Sequence, residues 1–300
     1  MEKIVLCTDK KAEDTLYIIG NGFDLAHGMK TSYENFHQWL LDIDNGHNSA
    51  VYRLETLYPN IKNTNGRWCD IESALGSVTM EEAVEFDRYF QEYSDEDSDE
   101  DSSYDNYQCG GNIKNVVDTL PFLLRQWIAS INTDGVTILF DLWKDAKFLS
   151  FNYTRTLENI YGVDNNSVLH IHETIIGNRP LVVGYGEAIF ESENYSSDNE
   201  EENTTRIKNI LSHCRKPVME ILEEPKPKNW LKGLSNISAV IVYGHSCSNV
   251  DKPYFEKVAN CIKEDAHWTF YVYDSSKNSA IEKFAKSVIK EKQQFEIINQ

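Results

Sequence analysis

Residues Thr15 to Asp24 read TLYIIGNGFD, and the fold turns on this stretch. Thr15 to Ile19 is a short apolar run of strand-forming residues, broken at once by Gly20 and Gly22. A strand ending in Gly-x-Gly lets the backbone turn sharply and approach a ligand closely. The N-terminus of a following helix then offers N–H groups to phosphate. With the next glycine at Gly28, the spacing is not G-x-G-x-x-G, so the dehydrogenase fingerprint is absent. A tight strand-to-helix turn also needs glycine, so the loop Gly20-Asn21-Gly22-Phe23-Asp24 stands between a nucleotide cradle and a plain turn. Asp24 is read in two ways, as an acceptor of ribose hydroxyls or as the cap of the next helix.

Similar apolar runs recur at Lys147–Phe151, Val168–Ile171, Leu181–Val183, Ala239–Tyr243 and Thr269–Tyr273. Helical apolar spacing marks Tyr33–Leu41, Trp68–Val78, Val116–Ile131, Thr156–Tyr161, Thr205–Cys214 and Tyr254–Lys263. Short strands alternating with helices predict an α/β fold with a mainly parallel, Rossmann-like sheet. Residues 33–142 read as a helical insertion or lid, with an acidic loop at 92–105. Residues 1–32 and 143–300 make the α/β core. On the insertion, Trp39, Leu40, Phe122, Leu123 and Trp127 are expected in its core.

The formal net charge of −19 repels a phosphate backbone, so nucleic acid is disfavoured as a partner. Much of that charge sits in Glu92–Asp105 and Glu191–Glu202, which read as solvated loops. No apolar run reaches the ~20 residues that span a bilayer, so no membrane association is expected. Residues 1–10 lack the pattern of a signal peptide, and the six cysteines form no C-x-x-C pair. Reduced thiols and a cytoplasmic location are expected, with no metal site.

Three further segments carry candidate chemistry. Asn152, in Ser150-Phe151-Asn152-Tyr153-Thr154, ends a strand, where ligands of open α/β sheets sit; it can contact a sugar or a water, or simply serve a turn or a helix cap. In Leu169-His170-Ile171-His172, strand alternation puts both histidines on one face. One of them suits a general base or ribose contact better than a metal ligand. The last segment, Val242-Tyr243-Gly244-His245-Ser246 with Asn249-Val250-Asp251, is another strand running into glycine, hydroxyl and carboxylate. Phosphate or ribose contact competes there with helix capping by Ser246 or Asp251.

The blocks IIGNGFDLAHGMKTSYENF, WCDIESAL, FLSFNYTRTLENIYG, LHIH and VYGHSCSNVDKPYF, in that order from about Leu16 to Phe255, resemble the AbiH family of bacterial phage abortive-infection proteins. More distantly they resemble the sirtuin-like NAD-hydrolysing domains of anti-phage systems. That resemblance implies a sirtuin-like cleft with NAD as substrate or ligand and no metal. It implies Asn152 and His172 as catalytic residues, with Asn152 placing the attacking water. It further implies nucleotide contacts from Gly20, Gly22, Gly244 and Ser246, and Asn21, Phe23, Asp24, Thr154, His245 and Asp251 are further candidate contacts in the same loops. Thr154 stands where the distant pattern has Asp, and Glu173 where it has Gly after the histidine. Asn21 and Asp24 likewise replace the small residue and the serine of its loop. The expected function is an abortive-infection protein that binds and hydrolyses NAD or a related nucleotide, with a non-catalytic nucleotide sensor as the alternative and a nucleic-acid-directed toxin third. A phage-derived trigger and a second copy of the chain are the candidate partners besides the nucleotide.

Overall fold

The computed structural model describes residues 4–7, 9–46, 48–95, 109–186 and 198–300, with backbone alone at 93–95 and 198–200. In chain order the strands are β1 (Ile4–Val5), β2 (Thr15–Ile19), β3 (Phe140–Asp141), β4 (Lys147–Ser150), β5 (Val168–His170), β6 (Ala239–Tyr243), β7 (His267–Val272) and β8 (Gln294–Asn299). The helices are α1 (Gly22–Ala26), α2 (Tyr33–Ile43), α3 (Ala50–Leu57), α4 (Ile71–Leu75), α5 (Met80–Asp95), α6 (Gly111–Ser130), α7 (Thr156–Asn159), α8 (Asp198–Ser212), α9 (Val218–Glu223), α10 (Pro225–Lys232), α11 (Lys252–Cys261) and α12 (Asn278–Val288). The chain divides into two compact units. One is Met1–Thr31 with Ile128–Leu181 and Pro217–Gln300; the other is Ser32–Trp127 with Val182–Lys216.

The first unit holds a six-stranded sheet in the order β5-β4-β2-β6-β7-β8, every pair parallel. The chain starts at β2, steps outward through β4 and β5, then returns to the other side of β2 and steps out through β6, β7 and β8. This is the doubly wound order, with its switch point between β2 and β6. The expected parallel α/β sheet, with a helical segment between its first two strands, is what the chain forms. Parallel strands are covered on both faces, and TLYII and AVIVY are buried at all five positions each. Around β2 and β4 the core packs Tyr17, Phe23, Phe140, Phe148, Tyr161 and Tyr243, with Tyr17 stacked on Phe148 at 4.9 Å. The edge strands are the three-residue β5 and the half-exposed β8.

In the second unit the helices enclose Phe36, Trp68 and Trp127. The Trp68 indole donates to Glu55 Oε1 at 3.1 Å, and His37 stacks on its face at 4.7 Å. Lys216 is buried and pairs with Glu72 at 2.7 Å. Trp68 and Glu72 of the WCDIESAL block therefore do packing work in this unit.

Several local expectations are corrected. Leu181–Val183 forms no strand; nearby, Tyr185 makes a single parallel bridge to Arg215. The helix expected over Trp68–Val78 is confined to Ile71–Leu75, because Asp70 caps it by accepting from Ser73 N and Gly76 ends it. Of the apolar residues assigned to the core of the insertion, Leu40, Leu123 and Trp127 are buried, Trp39 is half-buried and Phe122 is 57% exposed. The end of the second acidic patch opens helix α8, and most of both patches lies outside the described residues.

Candidate functional site

Strand register decides where the polar residues meet. Ile19 pairs with Ser150 and Tyr243, and Ser150 with His170, so four strand ends finish in one row. The segments starting at Gly20, Phe151, Ile171 and Gly244 thus leave the carboxyl edge of the sheet side by side. That edge, at the switch point, is where doubly wound proteins hold ligands.

Gly20, Gly22 and Gly244 interlock there. Gly20 N–H donates to Tyr243 O at 3.0 Å and Gly22 N–H to Gly244 O at 2.8 Å. A methyl on Gly22 would lie 2.6 Å from Gly244 Cα. One on Gly244, whose φ is +67°, would lie 2.4 Å from Phe23 N. The close approach these glycines permit is thus between two segments of the chain itself. Phe23, expected at a nucleotide, has its side chain in the core, 5.0 Å from Phe140 and 5.5 Å from Tyr161. The Asn21 amide donates to Thr31 O at 2.7 Å and ties down the chain after α1.

Asp24 neither caps a helix nor faces outward. It lies within α1, 1% exposed. Its Oδ2 accepts from the Thr154 hydroxyl at 2.5 Å and its Oδ1 from the Thr156 hydroxyl at 2.7 Å. The Asn152 amide lies close enough to favour its charged form as well. Burial pushes the Asp24 carboxyl above its usual range, against the pull of those donors and of His27. The expected direct contact of Asp24 with a ribose is therefore replaced by contacts to Thr154, Thr156 and Asn152. A carboxylate only accepts, so Asn152 must offer it Nδ2–H, which turns Oδ1 away. That Oδ1 is buried with no hydrogen-bond partner, on a residue 7% exposed. Asn152 serves no helix cap, since Arg155 precedes α7.

The two histidines part company. Strand β5 ends at His170 and the chain turns, with Glu173 at φ +64°. Alternation fails beyond that end. His170 directs Nε2 to Glu158 Oε1 at 3.0 Å and Nδ1 to Asn152 O at 3.3 Å. His172, 4% exposed, instead points Nε2 at Asp251 Oδ1 at 3.6 Å. The other oxygen of Asp251 faces His245 Nε2 at 3.5 Å. His245 Nδ1 accepts the Cys247 N–H at 2.9 Å. Phe151 packs edge-on against both imidazoles, its ring 5.1 Å from His172 and 4.3 Å from His245. Asp251 occupies the cap position of α11 without a side-chain capping bond, and Ser246 is exposed.

Thr156, Phe151 and Glu158 escaped the sequence reading. Each matters only through a partner that the sheet register brings near, and none stands in a telling pattern. Among the described residues no set of His, Cys, Asp or Glu is arranged to hold a metal ion. No helix there is long and apolar enough to cross a membrane.

The fold and the row of polar strand ends define a doubly wound, all-parallel α/β protein with buried acidic, amide and imidazole groups at its carboxyl edge. Residues 16–272 match the family model described as bacteriophage abortive infection AbiH, and the chain belongs to that family. No curated protein and no solved structure matches the chain.

Proposed function

We propose that this abortive-infection protein binds NAD or a related nucleotide at the carboxyl edge of the sheet and hydrolyses its N-glycosidic bond. The observation that carries the reading is Asn152 Oδ1, a buried acceptor with no partner, on an amide turned by Asp24. Leaving such an atom unsatisfied costs about 1–3 kcal/mol, and a water or ribose hydroxyl relieves that cost. Asn152 would orient a water on one face of the ribose, and His172 would take its proton. The bond from ribose carbon to nicotinamide nitrogen breaks with its electron pair leaving on nicotinamide. The water oxygen bonds to that carbon, giving ADP-ribose, nicotinamide and a proton. The exposed Ser246, in the loop that follows β6, is the residue offered to the phosphates. Release of activity by a phage-derived trigger or by a second copy of the chain belongs to the same reading.

Purified protein incubated with NAD should release nicotinamide, followed by chromatography. Asn152→Ala and His172→Ala should each cut the rate about 100-fold or more while leaving the circular dichroism unchanged. Undiminished turnover in either variant removes that residue from the reaction. No nicotinamide in vitro, together with constant NAD in phage-infected cells that the protein protects, overturns the reading.

A second reading, nucleotide sensing without turnover, draws on Thr154. Its hydroxyl is committed to Asp24, so the position carries no free acid or base. Calorimetric binding of NAD with quantitative recovery of the intact nucleotide would favour it.

A further inference from the structure

We infer that Asp251, braced by His245, is a positioning residue that fixes the tautomer of His172. The inference rests on the catalytic reading of His172, but its structural content can be tested without turnover.

Cys247 sets the first constraint. Its backbone N–H, in a left-handed turn at φ +54°, donates to His245 Nδ1 at 2.9 Å. A nitrogen that accepts an N–H carries the lone pair, so neutral His245 bears its proton on Nε2. That Nε2–H faces Asp251 Oδ2 at 3.5 Å. One carboxylate oxygen is thereby assigned, and the plane of the carboxylate is set. The remaining oxygen, Oδ1, lies 3.6 Å from His172 Nε2. A carboxylate only accepts, so it favours the His172 tautomer with the proton on Nε2 and the lone pair on Nδ1. Nδ1 is then the nitrogen that takes the proton from water. Both distances are those of charge pairing and not of hydrogen bonds, so the tautomer preference is electrostatic, between the carboxylate and the Nε2–H dipoles. The side chains of His172, Asp251 and His245 are 5%, 7% and 3% exposed, so little water intervenes to weaken the pairing.

Asp251→Asn turns this into a sharp test. His245 Nε2–H, still pinned by Cys247, claims the amide oxygen. The amide NH2 then faces His172 Nε2, which must become the acceptor, and the His172 proton moves to Nδ1. Nitrogen NMR of the histidine side chains reads this directly. The wild type should show a protonated Nε2 on His172, Asp251→Asn a protonated Nδ1, and Asp251→Glu the wild-type pattern restored. In turnover, Asp251→Asn should lower kcat about 100-fold with KM within about twofold, since the wrong tautomer spoils the base without touching binding. Thermal midpoints of both variants check that they fold. An unchanged His172 tautomer in folded Asp251→Asn, or a wild type with its proton on Nδ1, overturns the inference. A tautomer that flips while NAD stays intact both in vitro and in infected cells that the protein protects upholds the pairing and defeats the NAD reaction instead.

Discussion

Two buried aspartates stand at the same edge of the sheet, and their partners differ in kind. Asp24 is 1% exposed and holds two threonine hydroxyls at 2.5 and 2.7 Å, with the Asn152 amide beside them. Asp251 is 5% exposed and faces two imidazoles at 3.5 and 3.6 Å. Hydroxyls and amides do not exchange protons near neutral pH, whereas imidazoles do. The first aspartate therefore acts as a frame, fixing the end of β4 against α1 and aiming Asn152. The second sits among groups that can move a proton. One doubly wound edge thus joins a rigid half and a protonic half, with Phe151 and Asn152 between them.

The largest effect should come from breaking the frame. Asp24→Ala strands the Thr154, Thr156 and Asn152 donors in a buried site, and should cost about 2–4 kcal/mol in urea unfolding. Asp251→Ala, with longer contacts to release, should cost about 1–2 kcal/mol. Equal costs would dissolve the distinction between frame and proton site. The Asp24 cost should also depend on pH. Burial raises the folded pKa of Asp24, so its contribution is fully present below the unfolded value of 3.8 and is lost as pH rises. The gap between wild type and Asp24→Ala should therefore widen as pH falls.

How much of this was legible before the fold was known follows from burial and register. TLYII and AVIVY announce central strands to the residue, because burial on both faces leaves no room for polar interruptions. QFEIIN was missed as β8, since an edge strand with exposed residues interleaved lacks that signature. The loops at Gly20, Asn152 and Gly244 were found from their strand ends alone. What they contact was not. Asp24 and Thr156 are 132 residues apart, and only the β2–β4 register makes them neighbours. The histidine alternation misled because the strand stops at His170 and the chain turns before Glu173, whose left-handed φ no composition rule foretells.

A third carboxylate sharpens the comparison at smaller scale. Glu158 accepts from His170 Nε2 and Arg155 Nε, each at 3.0 Å, so it is a carboxylate–imidazole pair at true hydrogen-bond length. Burial pushes its carboxyl up, but the His170 hydrogen bond and charge, with Arg155, prevail and hold it below the usual value. A depressed folded pKa contributes stability above the unfolded value of 4.5 and loses it as pH falls through the folded value. Glu158→Gln should therefore cost about 1 kcal/mol at pH 7, with the cost shrinking in acid. That slope is opposite to the one for Asp24→Ala. Parallel slopes in urea unfolding between pH 3 and 7 would show that the two carboxylates do not differ as their partners imply.

The smallest expected effect lies at Cys247, which joins the protonic half by its backbone and is raised by its surroundings. Burial, and after it the charge of Asp251, push its thiol up to about 12. Reactive thiolate is therefore scarce at pH 8, and the side chain is sheltered as well. Iodoacetamide labelling followed by mass spectrometry should modify the exposed Cys69 first and leave Cys247 unmodified until the protein unfolds. Asp251→Asn removes the lesser of the two causes, so the labelling rate of Cys247 should rise by no more than about tenfold, one unit of pKa. A larger rise would mean that Asp251 governs access to this pocket as well as its charge. The aspartate would then brace the turn at Cys247, and the protonic half would be as much a frame as the half around Asp24.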